Sequence, residues 1–229
     1  MGPEFKAIAD HALLVTFADE ISDSAHGAVL ALDAALGADP PEGMIETVPA
    51  MVNLLVSFDP IATDHDAIKT HVEGCLRATI KSPSAGTSRI VQVCYDAPFS
   101  PDLGAVSAAT GLAPEAVIKA HLAGDFRVLM YGFAPGYAYL SGIPDAIQVP
   151  RKPAPVRDVP AGSVIIAGPQ CLVTTLTMPT GWSIIGRSPT AILTGDPDHP
   201  FLFDVGDRVT FERIDAATFA KLTKAGADG

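Results

Sequence analysis

From residue 126 onward the chain is a succession of short β-rich runs, at 126–131, 162–167, 170–177, 182–186, 201–203 and 208–213, separated by Gly and Pro. Runs this short, broken so often, cannot build long helices, and they point to a closed or sandwiched β architecture. The first part of the chain has a different texture. Residues 12–18 form a β-rich run, Asp23-Ser24 is a candidate N-cap, and the Ala/Leu-rich stretch 25–37 ends at Gly37. The segment 44–59 alternates loosely through Ile45, Val48, Val52, Leu54, Val56 and Phe58, Pro60 ends it, and a helical stretch at 64–80 follows. Strand, helix, strand, helix predicts a small α/β unit. The small, polar Ser82-Pro83-Ser84-Ala85-Gly86-Thr87-Ser88 reads as a connector, so the expected organisation is α+β, with an N-terminal α/β domain at 1–84 and a β-barrel domain at 85–229. Within the second, 89–95 predicts a strand, and 104–122 predicts two short helices around the breaker Gly111-Leu112-Ala113-Pro114. Gly2-Pro3-Glu4-Phe5 has the composition of a cloning junction and is set aside.

Composition excludes several classes. Of 229 residues 48% are apolar and 18% charged, enough to offset the ordering entropy of a compact fold. No window is long and apolar enough for a membrane helix and no basic-then-apolar leader opens the chain, so a cytoplasmic location away from membranes is expected. Cys75, Cys94 and Cys171 are too widely spaced for a disulfide framework or a thiolate zinc cage. The net charge of −11 argues against nucleic acid as a partner. Its distribution is uneven: residues 1–85 hold four bases against thirteen acids, a balance of −9, and 86–229 hold eleven against thirteen. Within 146–195, Arg151, Lys152, Arg157 and Arg187 face only Asp158, a local balance of +3.

The Walker phosphate loop, G-x-G-x-x-G, H-E-x-x-H and G-x-S-x-G patterns are all absent, and the six histidines fall at no metal-binding spacing, so no metal site is predicted. Three features carry potential chemistry. In 131–143, Gly132, Gly136 and Gly142 alternate with Phe133, Tyr137 and Tyr139, which suits either a loop that approaches a ligand or an aromatic barrel corner. Pro150-Arg151-Lys152-Pro153-Ala154-Pro155-Val156-Arg157 is a proline-stiffened basic stretch, an anion-binding strap or a solvated loop. Gly181-Trp182-Ser183-Ile184-Ile185-Gly186-Arg187 holds the only Trp, with Gln170 one strand earlier. Asp204 and Asp207 suit turn capping. His121 ends a helical stretch, where the dipole favours an imidazolium and a structural or an acid–base role is open.

These residues, in this order, resemble the B-subunit family of bacterial ATP-dependent 5-oxoprolinase, also described as allophanate hydrolase subunit 1 and including the kinase inhibitor KipI. The likeness runs from Asp10-His11-Ala12-Leu13-Leu14-Val15 through Val48-Pro49-Ala50 to Gly206-Asp207. It is densest in Gly132-Phe133-Ala134-Pro135-Gly136-Tyr137-Ala138-Tyr139-Leu140 and Val159-Pro160-Ala161-Gly162-Ser163-Val164. The resemblance implies a cyclophilin-like β-barrel behind the α/β domain, relatives fused into the carboxyltransferase part of urea carboxylase, and a complex with two further proteins, a cyclophilin-like C component and a LamB/YcsF-type A component. The implied reaction opens the lactam of 5-oxoproline to glutamate with ATP, which is bound through the complex. The alternatives are a KipI-like inhibitor of a histidine kinase and a carboxyltransferase-type protein acting on another small amide. The family pattern carries onto His121, Tyr139, Arg151, Gln170, Trp182 and Arg187, with Tyr137 and Arg157 beside them. Arg151 and Arg187 would hold carboxylate or phosphoryl oxygens, Gln170 would orient the amide and His121 would move a proton. Arg151 and Arg187 are expected to meet the tyrosine-bearing segment in one concavity. The chain departs from the family pattern at Val156-Arg157, Leu172, Thr174 and Thr180, all near the expected site.

Overall fold

A computed structural model describes residues 2–78 and 86–227, and the chain falls into two units, Met1–Ala85 and Gly86–Gly229. Of the expected connector, residues 82–85 lie outside the described residues.

The first unit runs β1 (Glu4–Ile8), β2 (Ala12–Thr16), α1 (Asp23–Ala38), β3 (Met44–Pro49), β4 (Asn53–Phe58) and α2 (His65–Arg77). Its strands form an antiparallel sheet in the order β1-β2-β4-β3. Alternation puts Leu13, Val15, Leu54, Val56 and Phe58 on one face, where they pack with Leu32 and Leu36 of α1 and Ile68 and Val72 of α2. Each such burial stabilises by roughly 1.5–3 kcal/mol. Three expectations change here. Glu4 and Phe5, set aside in the sequence, are the start of β1. The single run at 44–59 is a hairpin, turned where the Ala50 amide donates to the Asn53 carbonyl at 2.8 Å. The alternation continues on both sides of the turn, so periodicity alone does not mark it. Ser22, not Asp23-Ser24, caps α1, its side chain accepting from the Ala25 amide at 3.2 Å.

The second unit runs β5 (Ser88–Cys94), α3 (Leu103–Thr110), α4 (Pro114–Leu122), β6 (Phe126–Tyr131), β7 (Ala138–Ser141), β8 (Val156–Val159), β9 (Ser163–Ala167), β10 (Gln170–Val173), β11 (Met178–Thr180), β12 (Ser183–Arg187), β13 (Arg208–Ile214) and α5 (Ala216–Ala227). Seven strands close a barrel in the order β10-β7-β6-β13-β5-β12-β9, with β8 and β11 as a separate two-stranded sheet. The barrel closes through a parallel pair, β5 with β13, in register from Ser88 opposite Arg208 to Cys94 opposite Ile214. The expected α/β domain followed by a β-barrel is the architecture observed. Inward positions, among them Val91, Val93, Phe126, Val128, Leu140, Val164, Ile166 and Phe211, fill the interior. Outward positions Ile165, Ala167, Leu172 and Ile184 form a second cluster with Val159 and Met178 of the small sheet.

Asp207, only 3% exposed, closes the turn before β13. Its carboxylate accepts from the Thr87 amide at 2.8 Å, the Asp204 amide at 3.0 Å and Arg89 Nε at 2.8 Å. The predicted run at 201–203 is no strand: Phe201 makes an isolated bridge to Leu193. Helix α5 lies beyond the predicted elements, although Asp215 marks its start by accepting from the Thr218 amide at 2.7 Å. Among the described residues no helix is long and apolar enough to cross a membrane.

Candidate functional site

The glycine-and-aromatic segment links β6 to β7. The Gly132 amide donates to the Tyr137 carbonyl at 2.6 Å and the Tyr137 amide to Ala134 at 3.0 Å, which folds the segment back on itself. A Cβ on Gly132 would stand 2.6 Å from Cδ1 of Tyr137 and 2.9 Å from Cε2 of Tyr139, so glycine is what lets both rings lie over this backbone. Gly136, with φ +67°, makes the turn. A row of rings results: Phe133 to Tyr137 at 4.9 Å between centroids, Tyr137 to Tyr139 at 5.7 Å and Tyr139 to Trp182 at 5.9 Å. The Arg151 guanidinium sits 5.5 Å above the Trp182 ring at the end of the row. Burial pushes the Tyr137 hydroxyl up to about 12, so it stays protonated at neutral pH. Trp182 is 5% exposed and Phe133 is 73% exposed, so the row runs from packed core to open solvent.

Asp102, which sequence reasoning did not single out, sets the position of Arg151. The Asp102 carboxylate pairs with the Lys152 ammonium and accepts from the Ile184 amide at 2.7 Å, while the Asp102 amide donates to the Ile184 carbonyl at 3.0 Å. The Lys152 amide donates to the Gly181 carbonyl at 2.6 Å. The basic strap is thereby pinned to the start of β12 one residue after Arg151. Lys152 is used up in this joint, whereas Arg151 is exposed and pairs with no carboxylate among the described residues. Gln170 stands opposite Ala167 in register, which puts it on the outward face shared by Leu172, Ile165 and Tyr139. Arg157 is exposed on β8.

Two candidate residues lie elsewhere. Arg187 ends β12, five residues beyond Trp182, and the two ends of a strand of that length are about 16 Å apart. Arg151 therefore joins the tyrosines, and Arg187 does not meet it. Arg187 instead borders a cavity of about 380 Å³ on the side of the barrel that faces α5, with Thr175, Ser188, Thr190, Leu193 and Phe219 among its walls. His121 is fully buried inside the barrel. Its Nδ1 is 2.8 Å from the Tyr95 hydroxyl and its Nε2 is 3.6 Å from Cys171 Sγ, with Phe126 and Phe211 against the ring. Burial drives its pKa down to about 3, so desolvation overrides the dipole and the imidazole is neutral. The same burial pushes the Cys171 thiol up, which leaves it unreactive.

The fold agrees with the relatives of this chain. The family model described as carboxyltransferase domain, subdomain C and D, matches residues 3–203. The chain superposes on the Kluyveromyces lactis urea carboxylase with a TM-score of 0.78 at 14% identity, covering 99% of this chain and 23% of that one. It also superposes on TTHA0988 with a TM-score of 0.80 at 31% identity, covering 90% of this chain and 40% of that one, so it spans two fifths of that protein. It is 37% identical over 223 residues to the B subunit of 5-oxoprolinase from Bacillus subtilis (strain 168), covering 92% of each. The chain belongs to this carboxyltransferase-domain family, in the group of proteins named as the B subunit of 5-oxoprolinase.

Proposed function

We propose that the chain is the B subunit of an ATP-dependent 5-oxoprolinase-type complex, working with the C and A components to open the lactam of 5-oxoproline to glutamate. The observation that supports this reading most is the Arg151 guanidinium, held over Trp182 at the end of the aromatic row without an acidic partner among the described residues. A guanidinium in that position suits a substrate carboxylate in a bidentate geometry. The flat lactam would lie against Tyr139 beside Tyr137, and Gln170, on the same outward sheet face, would orient its amide. Arg157 is the second cation available to charged oxygens. ATP bound through the complex supplies the chemistry of activating the lactam oxygen by phosphorylation; this chain has no Walker phosphate loop to hold it. His121, sealed in the barrel, has no part in the proton transfers of this reading, which would run through water or another protein of the complex. Arg187 is likewise outside it. The acidic first unit would suit a basic partner surface.

The test is glutamate release from 5-oxoproline and ATP by the reconstituted three-protein set. The chain alone should give none and the full set should turn over. Arg151→Met should raise KM roughly 10- to 100-fold, the scale of a lost charge-assisted bond of about 1.5–3 kcal/mol. A full set without turnover would reject the reading.

A further inference from the structure

We infer that the cavity beside Arg187 is a separate binding site for a small monocarboxylate with an apolar body. This does not rest on the reading above, because Arg187 stands at the opposite end of β12 from Trp182 and Arg151. Its volume of about 380 Å³ falls in the range of small-ligand pockets and equals about a dozen waters. Among the described residues, Arg187 is the only charged one in its walls. The guanidinium is anchored by Nε donating to the Ala161 carbonyl at 3.3 Å, which leaves its two terminal nitrogens to serve a ligand, and it has no carboxylate partner among the described residues.

Two hydroxyls extend this donor set. Ser188 Oγ accepts from the Thr190 amide at 3.0 Å, and Thr190 Oγ1 accepts from the Gln92 amide at 3.1 Å. With their lone pairs engaged by backbone amides, these hydroxyls keep their protons to donate. The other threonines of the walls are committed: Thr174 donates to Pro160, Thr175 to Pro135 and Thr223 to Phe219. Ser188 is 5% exposed, so its donor lies in a desolvated wall where a charge-assisted bond gains strength. Ile192, Leu193, Phe219 and Leu222 supply the apolar remainder. Phe219 is held by Phe99 at 4.3 Å between centroids, which fixes the α5 wall. One guanidinium with two neutral donors matches the single charge and two oxygens of a carboxylate, whereas a phosphate dianion asks for more positive charge. The apolar walls require the body behind it to be hydrocarbon.

Isovalerate is the probe, with neutral isovaleramide and inorganic phosphate as controls, titrated into the full chain by calorimetry and followed by amide chemical shifts. Isovalerate should bind saturably and shift resonances of 188–193 and α5, and isovaleramide should bind at least tenfold more weakly. Arg187→Gln should weaken isovalerate at least tenfold, Ser188→Ala severalfold, and Arg151→Gln not at all. Should Arg187→Gln fail to fold, the Ser188→Ala and Arg151→Gln pair still decides the matter. Equal binding of amide and acid, loss of binding in Arg151→Gln, or tighter Arg187-dependent binding of phosphate would each overturn the assignment. Displacement of isovalerate by 5-oxoproline in wild type would show one site where we assign two.

Discussion

His121 illustrates how burial decides the chemistry of a residue. The dipole at the end of α4 favours its cation by about 0.3–1 kcal/mol, while full burial among Phe126, Phe211 and Cys171 opposes it far more strongly. With a folded pKa of about 3, below the ordinary value of 6.5, the unfolded chain takes up the proton first as pH falls. This contribution to stability is therefore complete above about pH 6.5 and is lost toward pH 3, at up to about 1.4 kcal/mol per pH unit. Urea midpoints measured from pH 7.5 to 4.5 should fall less steeply for His121→Gln than for wild type, even though the variant starts less stable. Asp102 is a comparable case. Asp102→Ala frees the Lys152 ammonium and leaves the Ile184 amide unpaired, so chemical denaturation should show a loss of about 2–4 kcal/mol. Neither role could be read from the sequence, because Asp102 meets its partners fifty and eighty-two residues away.

Among the elements, those with local signals were legible. β5, β6, β9, β12 and β13 each carry several consecutive β-favouring residues between breakers, and their positions agree with the expected runs to within a residue or two. β7, β8 and β11, of three or four residues, hold too few side chains to show a period. The aromatic row was half legible: the spacing of Gly132, Phe133, Tyr137 and Tyr139 pointed to a folded-back segment, but not to Trp182 as its continuation. The separation of Arg151 from Arg187 was hidden for a related reason, since the end of a strand at which a basic residue stands depends on how the barrel closes. The residue just beyond β7 gives a direct check. Gly142 has φ +104°, and a Cβ there would stand 2.3 Å from the Asp125 carbonyl oxygen. That obstacle is backbone, so Gly142→Ala should lower the thermal midpoint by the equivalent of about 2–4 kcal/mol.

For the whole molecule, each described core belongs to one unit: one cluster draws on residues 5–76, and the other two on residues 91–211. A unit with its own core should fold alone. The isolated fragment 86–229 should show a cooperative thermal transition and the near-ultraviolet signal of a packed Trp182; a broad, non-cooperative melt would mean that its core needs residues of the other unit. The barrel itself is sealed by its first and last strands, with Thr87 held by Asp207, 120 residues later. A nascent chain emerging at roughly 5–20 residues per second would carry β5 unpaired on that edge for about 6–24 s before β13 clears the ribosome. During translation, protection of that exposed strand falls to chaperones or to the polar side chains of Arg89 and Gln92, since the native seam forms only after every other strand of the barrel has been made.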